Sequence, residues 1–337
     1  MPINSKKPIA VIILNWNGET LLREFLPKVI ATTDSALADV IVADNGSTDG
    51  SVLLLEQEFS QVKLLKFAEN YGFAQGYNQA IEQTQYKYTV LLNSDVATAD
   101  GWLAPLYDYM EQHSEVGACQ SKLLSYREPE MFEYAGASGG FIDKNGYPYC
   151  RGRLFATVEK DNHQYDDVSS VFWATGAALM VRSEIYMSVG GLDKDFFAHM
   201  EEIDLCWRIL LAGYDIKVIP QSVAYHLGGG SLPASNPRKT YLNFRNNLLL
   251  LHKNLPDSTR GRKLFIRRLY DTIAWAKFML TFDFKNANAI LKAHNDFRRM
   301  RRAYTSHPDV DLLDARPDTR RNIIVDYYLR QRKTWRQ

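Results

Sequence analysis

A run of six consecutive apolar residues, Ile9-Ala10-Val11-Ile12-Ile13-Leu14, has the continuous β-branched character of a strand buried on both faces. A helical stretch at 19–31 follows it, then a second such run, Val40-Ile41-Val42-Ala43. The alternation continues with a helix at 50–58, capped near its start by a hydroxyl and a carboxylate, a strand over Val62–Phe67, a helix at 72–83 and a strand over Tyr88–Asn93. The order β-α-β-α-β-α-β specifies an α/β fold with a doubly wound, mostly parallel sheet. Ligands of such a sheet sit at the carboxyl ends of its strands.

A further helix is expected at 101–113. The stretch 125–172 is rich in Gly, Tyr and charge, with a turn signal at Asp143-Lys144-Asn145-Gly146, and reads as an insertion of short strands and loops. Order returns with Trp173–Val181, helices at 183–189 and 202–212, and a strand over Ile216–Pro220. Beyond 238 the pattern is helical, basic and amphipathic to the end. The boundaries expected are therefore a catalytic unit over 1–237 and a helical extension over 238–337.

Net charge separates the same two regions. Residues 1–237 carry −13 and residues 238–337 carry +14, within a chain of net charge +1. An acidic body points to a cation-handling site, and a basic tail to an anionic partner. In the tail, Arg260-Gly261-Arg262-Lys263, Arg267-Arg268 and Arg298-Arg299-Met300-Arg301-Arg302 interleave with Leu264, Phe265, Ile266, Leu269, Trp275, Phe278, Met279 and Phe282. That mixture suits an anionic membrane surface. The alternative is helices packed on the catalytic body with a solvated basic face. No nucleic-acid motif accompanies it, so no nucleic-acid partner is expected. Cys119, Cys150 and Cys206 give neither a disulfide framework nor a zinc pattern, which favours a reducing cytosol. Met1–Lys7 lacks a signal peptide's apolar stretch, and Leu269–Phe284 is broken by Asp271, Lys277 and Asp283, so no spanning segment is expected.

Polar residues gather where the strands end. Asn15, Asn17 and Gly18 end the first, Asp44-Asn45-Gly46-Ser47-Thr48-Asp49 the second, and Asn93-Ser94-Asp95 the fourth. Any one of them could simply terminate a strand or cap a helix; three strands ending this way point to a nucleotide crevice. No Gly-x-Gly-x-x-Gly follows the first strand, and no Gly-x-x-x-x-Gly-Lys-Ser/Thr occurs, so a diphosphate would be held through a divalent ion. Asn93-Ser94-Asp95 is a candidate for that ion. A second cluster, Glu201-Glu202-Ile203-Asp204, opens an amphipathic helix after Phe196-Phe197-Ala198-His199-Met200. Helix-dipole complementarity accounts for one or two of its acids, not for Glu201-Glu202 between apolar flanks. His226 follows a strand and precedes the glycine run Gly228-Gly229-Gly230; it is either structural or a metal ligand.

Taken in order, these segments resemble glycosyltransferase family 2 of the GT-A fold over residues 8–253. They are Ile12–Gly18, Asp44–Ser51, Glu69–Ala74 with Gly76 and Asn78, Leu92–Asp95, Trp173–Ala177, Gly190–Asp193, Glu201–Arg208 and His226. Within the family the chain looks most like the bacterial rhamnosyltransferase-like branch. Tyr134-Ala135-Gly136, Asp143, Gly146-Tyr147-Pro148 and Arg151-Gly152-Arg153 resemble that branch's acceptor-side insertion.

The resemblance implies a nucleotide-sugar side formed by Asn15, Asn17, Asp44, Asn45, Ser47, Asn70, Gly72, Asn78 and Asn93. It implies Asp95 and His226 as ligands of Mg²⁺ or Mn²⁺, and Trp173 and Gly176 as a wall of the sugar and acceptor site. Glu202 corresponds to the general base, with Glu201 and Asp204 shaping its setting and the acceptor's. Two positions depart from the pattern: Asn93 stands at the first acid of the D-x-D motif, and Glu202 where Asp is usual. The activity implied is inverting transfer of a sugar, dTDP-rhamnose being one donor, to a glycan or polyprenyl-diphosphate-linked saccharide. The place implied is the cytoplasmic face of the plasma membrane, in cell-surface polysaccharide synthesis. A different donor such as a UDP-hexose, an inactive nucleotide-sugar-binding protein and a nucleotidyltransferase are the alternatives.

Overall fold

Strand Ile9–Asn15 is central because alternate side chains feed opposite cores: Ala10 and Ile12 enter one hydrophobic cluster, Ile9, Val11 and Ile13 the other. Burying each such branched side chain is worth ~1.5–3 kcal/mol. The computed structural model describes residues 3–4, 6–228 and 236–335. Strand Ala38–Asp44 pairs parallel with Ile9–Asn15 so that Asn15 lies opposite Asp44. Lys63–Lys66 extends this side of the sheet, and Tyr88–Asn93 pairs parallel on the other side, with Asn93 opposite Leu14. The ends of the strands are thereby level.

Past Tyr88–Asn93 the sheet becomes mixed. Ala178–Arg182 runs antiparallel to it and to Val116–Ser125, and the twelve-residue strand Asp215–His226 runs parallel to Val116–Ser125. Short strands Val96–Thr98 and Ser169–Ser170 pair antiparallel with Asp215–His226. Val116–Ser125 carries no clean apolar run, yet it is buried because its polar groups are satisfied. Gln120 Oε1 accepts from Thr175 N, the Ser121 hydroxyl bonds that of Ser222, and Lys122 pairs with Asp161 and Asp166. Pro220 falls at a register shift between Ile219 and Val223, so the last strand continues six residues beyond it to His226.

The insertion is an antiparallel meander of Gly140–Ile142, Pro148–Cys150, Arg153–Leu154 and Thr157–Val158. After His226 come helices Pro237–Asn254, Asp257–Leu280 and Phe284–Met300. The first buries Leu242 and Leu248–Leu251. Helix does not persist to the end of the chain: beyond Met300 the backbone is mostly irregular, with short turns at Leu312–Ala315 and Val325–Leu329. Pro308 and Pro317 interrupt any helical ladder there.

The tail is divided by face. Leu264, Lys263 and Arg267 turn inward, Arg267 meeting Asp271 and Lys263 meeting Asp314, while Phe265, Leu269, Ile273, Leu280, Phe282 and Phe284 are exposed. No helix of the described residues is long and apolar enough to cross a membrane.

Candidate active site

At the strand ends, Asn15 Nδ2 donates to Asp44 Oδ1 at 3.0 Å and to the Ser47 hydroxyl at 3.2 Å. Asp44 Oδ2 accepts from Ser47 N, the Ser47 hydroxyl from Asn17 N, and Asn17 Oδ1 from Thr48 N. Beside this loop Asn45 Nδ2 donates to Asn70 Oδ1 and Gly72 O, while Asn45 Oδ1 accepts from Tyr71 N. Asn70 Oδ1 also accepts from Gly72 N, which holds Gly72 at φ +76°, a conformation that favours glycine. Asn15, Asn17, Asp44, Asn45, Ser47, Asn70 and Gly72 thus form one polar cradle. Within it Asn15 Oδ1 is buried and lacks a partner.

Leu14 lies opposite Asn93, and Asn93 N donates to Ala177 O, so Asp95 and the Thr175–Ala177 turn adjoin the same edge. Asp95 Oδ1 stands 3.1 Å from His226 Nε2, across 131 residues of sequence. Leu227 N donates to Asp95 O and locks the two segments together. Although burial alone would lower it, pairing with Asp95 and Glu133 raises the His226 pKa to about 10. Gly229–Ser231, which follow this His in the sequence pattern, lie outside the described residues.

Glu202 opens helix Glu201–Leu211, and its Cβ lies 3.8 Å from where a side chain at Gly176 would begin. Burial pushes its carboxyl up to about 7 against the pull of nearby backbone N–H groups. Glu201 is raised well above the carboxylate range by burial and by the neighbouring Glu202 charge. Each of the two has one buried oxygen without a partner. The loop before them is strained: Phe197, His199 and Met200 have φ of 66°, 68° and 76°. It is held from the first C-terminal helix, where Asn246 Nδ2 donates to the carbonyls of Phe196, Ala198 and His199, and Arg245 donates to those of Asp195 and Phe196.

Three expected site residues are engaged elsewhere. Asp204 is fully buried and bonded to Arg208, Lys253 and Asn254, so it ties the acidic helix to helix Pro237–Asn254; the two cations hold its pKa low against burial. Asn78 binds Leu192 and the Tyr186 hydroxyl. Trp173 is buried beneath the insertion, its indole N–H donating to Phe141 O. Two contributors were not visible as motifs. One is the Arg245-Asn246 pair. The other is Glu133 of the insertion, whose Oε1 lies 3.3 Å from His226 Nδ1 and whose Oε2 accepts from Ala135 N. A separate group, Asp161 with the exposed His163 and Asp166, has Lys122 bonded to both of its carboxylates.

Residues 10–164 match the family model described as Glycosyl transferase family 2. Over these residues the chain is a glycosyltransferase family 2 domain. An N-acetylglucosaminyl-diphospho-decaprenol L-rhamnosyltransferase of Mycobacterium tuberculosis is 25% identical over 236 residues, covering 65% of this chain and 75% of that protein. The dTDP-rhamnosyl transferase RfbF of Shigella flexneri is 29% identical over 261 residues, covering 73% and 80%. Among solved structures, GalNAc-T7 with UDP, GalNAc and Mn²⁺ aligns with a TM-score of 0.57 at 16% identity, covering 74% of this chain and 48% of that one. The chain therefore spans about half the length of that structure, and the likeness is one of fold, GT-A. This family 2 enzyme accordingly has its polar cradle, its Asp95–His226 pair and its acidic helix on the GT-A sheet's carboxyl edge.

The Asp95–His226 pair fits a divalent cation. Two ligands bonded at ~2.1 Å and at right angles are ~3 Å apart, close to the 3.1 Å separation of Oδ1 and Nε2. The carboxylate oxygen suits Mg²⁺ or Mn²⁺, and the imidazole, a ligand of transition metals, favours Mn²⁺ of the two.

Proposed function

We propose that this family 2 glycosyltransferase transfers a sugar from a nucleoside-diphosphate sugar, dTDP-rhamnose in the first instance, to a polyprenyl-diphosphate-linked saccharide, with inversion at the anomeric carbon. The observation that carries the reading is the Asp95–His226 pair at the sheet edge shared by the Asn15–Asp44 cradle and the Gly176–Glu202 contact. The rhamnosyl donor and lipid-linked acceptor are supported by the two rhamnosyltransferases above, one of which is named for a diphospho-decaprenol acceptor.

Asp44 and Asn15 present the cradle to the nucleoside, and Asp95 and His226 are the residues that would hold Mg²⁺ or Mn²⁺. When bound there, the ion would supply Lewis-acid stabilisation of the charge growing on the leaving group. Glu202, ionised, takes the acceptor hydroxyl's proton as its oxygen bonds to the anomeric carbon and the carbon–oxygen bond to the diphosphate breaks. Glu202's setting, raised by burial, favours proton uptake near neutral pH.

The acceptor places the reaction at the cytoplasmic face of the plasma membrane, in synthesis of a cell-surface polysaccharide. Exposed Phe265, Leu269, Ile273 and Leu280, flanked by exposed Arg262 and Lys277, supply an apolar and basic face for an anionic bilayer.

Incubation with a panel of nucleotide sugars and a short-chain polyprenyl-diphosphate saccharide, with Mn²⁺, tests the reading. It predicts nucleoside diphosphate release and a product of inverted configuration by proton NMR. Consumption of a UDP-hexose instead would move the donor assignment; absence of turnover with every donor would remove the enzymatic one.

A further inference from the structure

The C-terminal segment folds back on the insertion and makes a second cationic site. Asp143 is buried, its Oδ1 accepting from Asn145 N and Tyr147 N and its Oδ2 from Ile323 N. Lys144 N in turn donates to Arg321 O. The insertion's turn and the segment after Thr319 are therefore stapled at fixed register. Between them opens a cleft of about 470 Å³ walled by Lys144, Arg320, Arg321, Arg330 and Arg332, with Asp326 as its single carboxylate. None of these groups belongs to the cradle, the Asp95–His226 pair or the acidic helix.

The charges do not close. Asp326 is shared by Arg321 at 3.4 Å, Arg330 at 3.1 Å and Arg332 at 3.9 Å. Lys144 and Arg320 have no ion pair among the described residues. Arg321 is fixed further by donation to Trp335 O and by the Tyr149 and Trp335 rings, yet its Nη2 is buried without an acceptor. A buried guanidinium donor left unpaired is unfavourable, and several cations facing one cavity repel. A phosphate oxygen relieves both, because guanidinium forks match it bidentately. Immediately beside the cleft Leu329 is 77% exposed and Tyr328 53%, an apolar step next to Arg330. Such a step fits an isoprenoid chain leaving a diphosphate.

We propose that this cleft holds the diphosphate of the lipid-linked acceptor, with the isoprenoid running out over Tyr328 and Leu329. The assignment rests on the acceptor class proposed above. It gives the insertion and the C-terminal segment one joint task, since neither makes the site alone.

Lys144 and Arg320 are the substitutions of choice because neither carries an ion pair that the fold would lose. Titration calorimetry with inorganic pyrophosphate in excess EDTA keeps metal-dependent diphosphate binding silent. The wild-type chain should bind about one pyrophosphate, and Lys144→Ala/Arg320→Ala should weaken it at least tenfold. No binding by the wild type, or equal binding by the variant, overturns the site. Steady-state kinetics then separate a lipid-linked diphosphate from free anions. The double variant should raise KM about tenfold for the polyprenyl-diphosphate saccharide. It should leave unchanged the donor KM and the KM for the same saccharide lacking the diphosphate. Pyrophosphate binding lost with acceptor KM unaltered would overturn the acceptor assignment. Turnover absent from both proteins would sink the proposed activity while the calorimetry still decides whether the cleft takes a diphosphate.

Discussion

Glu133 Oε1 lies 3.3 Å from Nδ1 of His226, joining the insertion to the proposed metal pair from the side opposite Asp95. Both side chains are less than 10% exposed. A carboxylate behind Nδ1 fixes the ring so that Nε2 faces Asp95, where a cation would take the place of its proton. Glu133→Gln should weaken Mn²⁺ binding about 10–100-fold by calorimetry, with nucleotide affinity in EDTA unchanged. Equal Mn²⁺ affinity would remove Glu133 from this role.

Glu202 supports two linked expectations. Its replacement by Gln should lower transfer ~10²–10⁴-fold while Mn²⁺ and nucleotide still bind. The base works ionised and its pKa is raised to about 7, so kcat/KM should climb as pH passes through that region and fall below it. A rate independent of pH between 5.5 and 8.5 would contradict the assignment.

The same carboxyls affect stability with a definite sign. Glu201 and Glu202 have pKa values above those of the unfolded chain, so the folded state holds more protons and loses stability as pH rises through the folded values. Glu202→Gln should therefore raise Tm at pH 8 and change it little at pH 5. A lower Tm at pH 8 would show that the Glu202 charge is compensated.

Asp204 belongs to the fold, and its loss should be read there. Asp204→Ala leaves Arg208 and Lys253 without their shared carboxylate in a buried setting, a loss of about 3–5 kcal/mol measured by urea unfolding. A stable variant with only a raised acceptor KM would return Asp204 to the acceptor site.

Asn246→Ala tests the prop under the strained loop. Three carbonyls lose a donor, so kcat should fall and Tm drop, while Mn²⁺ affinity stays. Unchanged kcat would show that the loop holds itself.

The parallel half of the sheet was legible because Ile9–Ile13 and Ile41–Ala43 are buried on both faces and leave no other assignment. The cradle was legible for the same reason, since polar residues directly after such strands must share an edge. Val116–Ser125 was not, because its burial depends on partners for Gln120, Ser121 and Lys122 that lie in distant segments. Asn78 and Asp204 show the converse: their residue types suit a site, yet contacts with Tyr186 and Lys253 decide their use. Glu133 and Asn246 carry no motif at all, and only the fold brings them to His226 and to the Phe196–His199 carbonyls.

Anomalous diffraction from crystals grown with Mn²⁺ and a nucleoside diphosphate tests the central claim most directly. A manganese peak bonded to Asp95, His226 and the diphosphate, with the nucleoside against Asp44 and Glu202 facing the vacated sugar position, is the predicted result. A nucleotide bound elsewhere, or manganese away from Asp95 and His226, would contradict it.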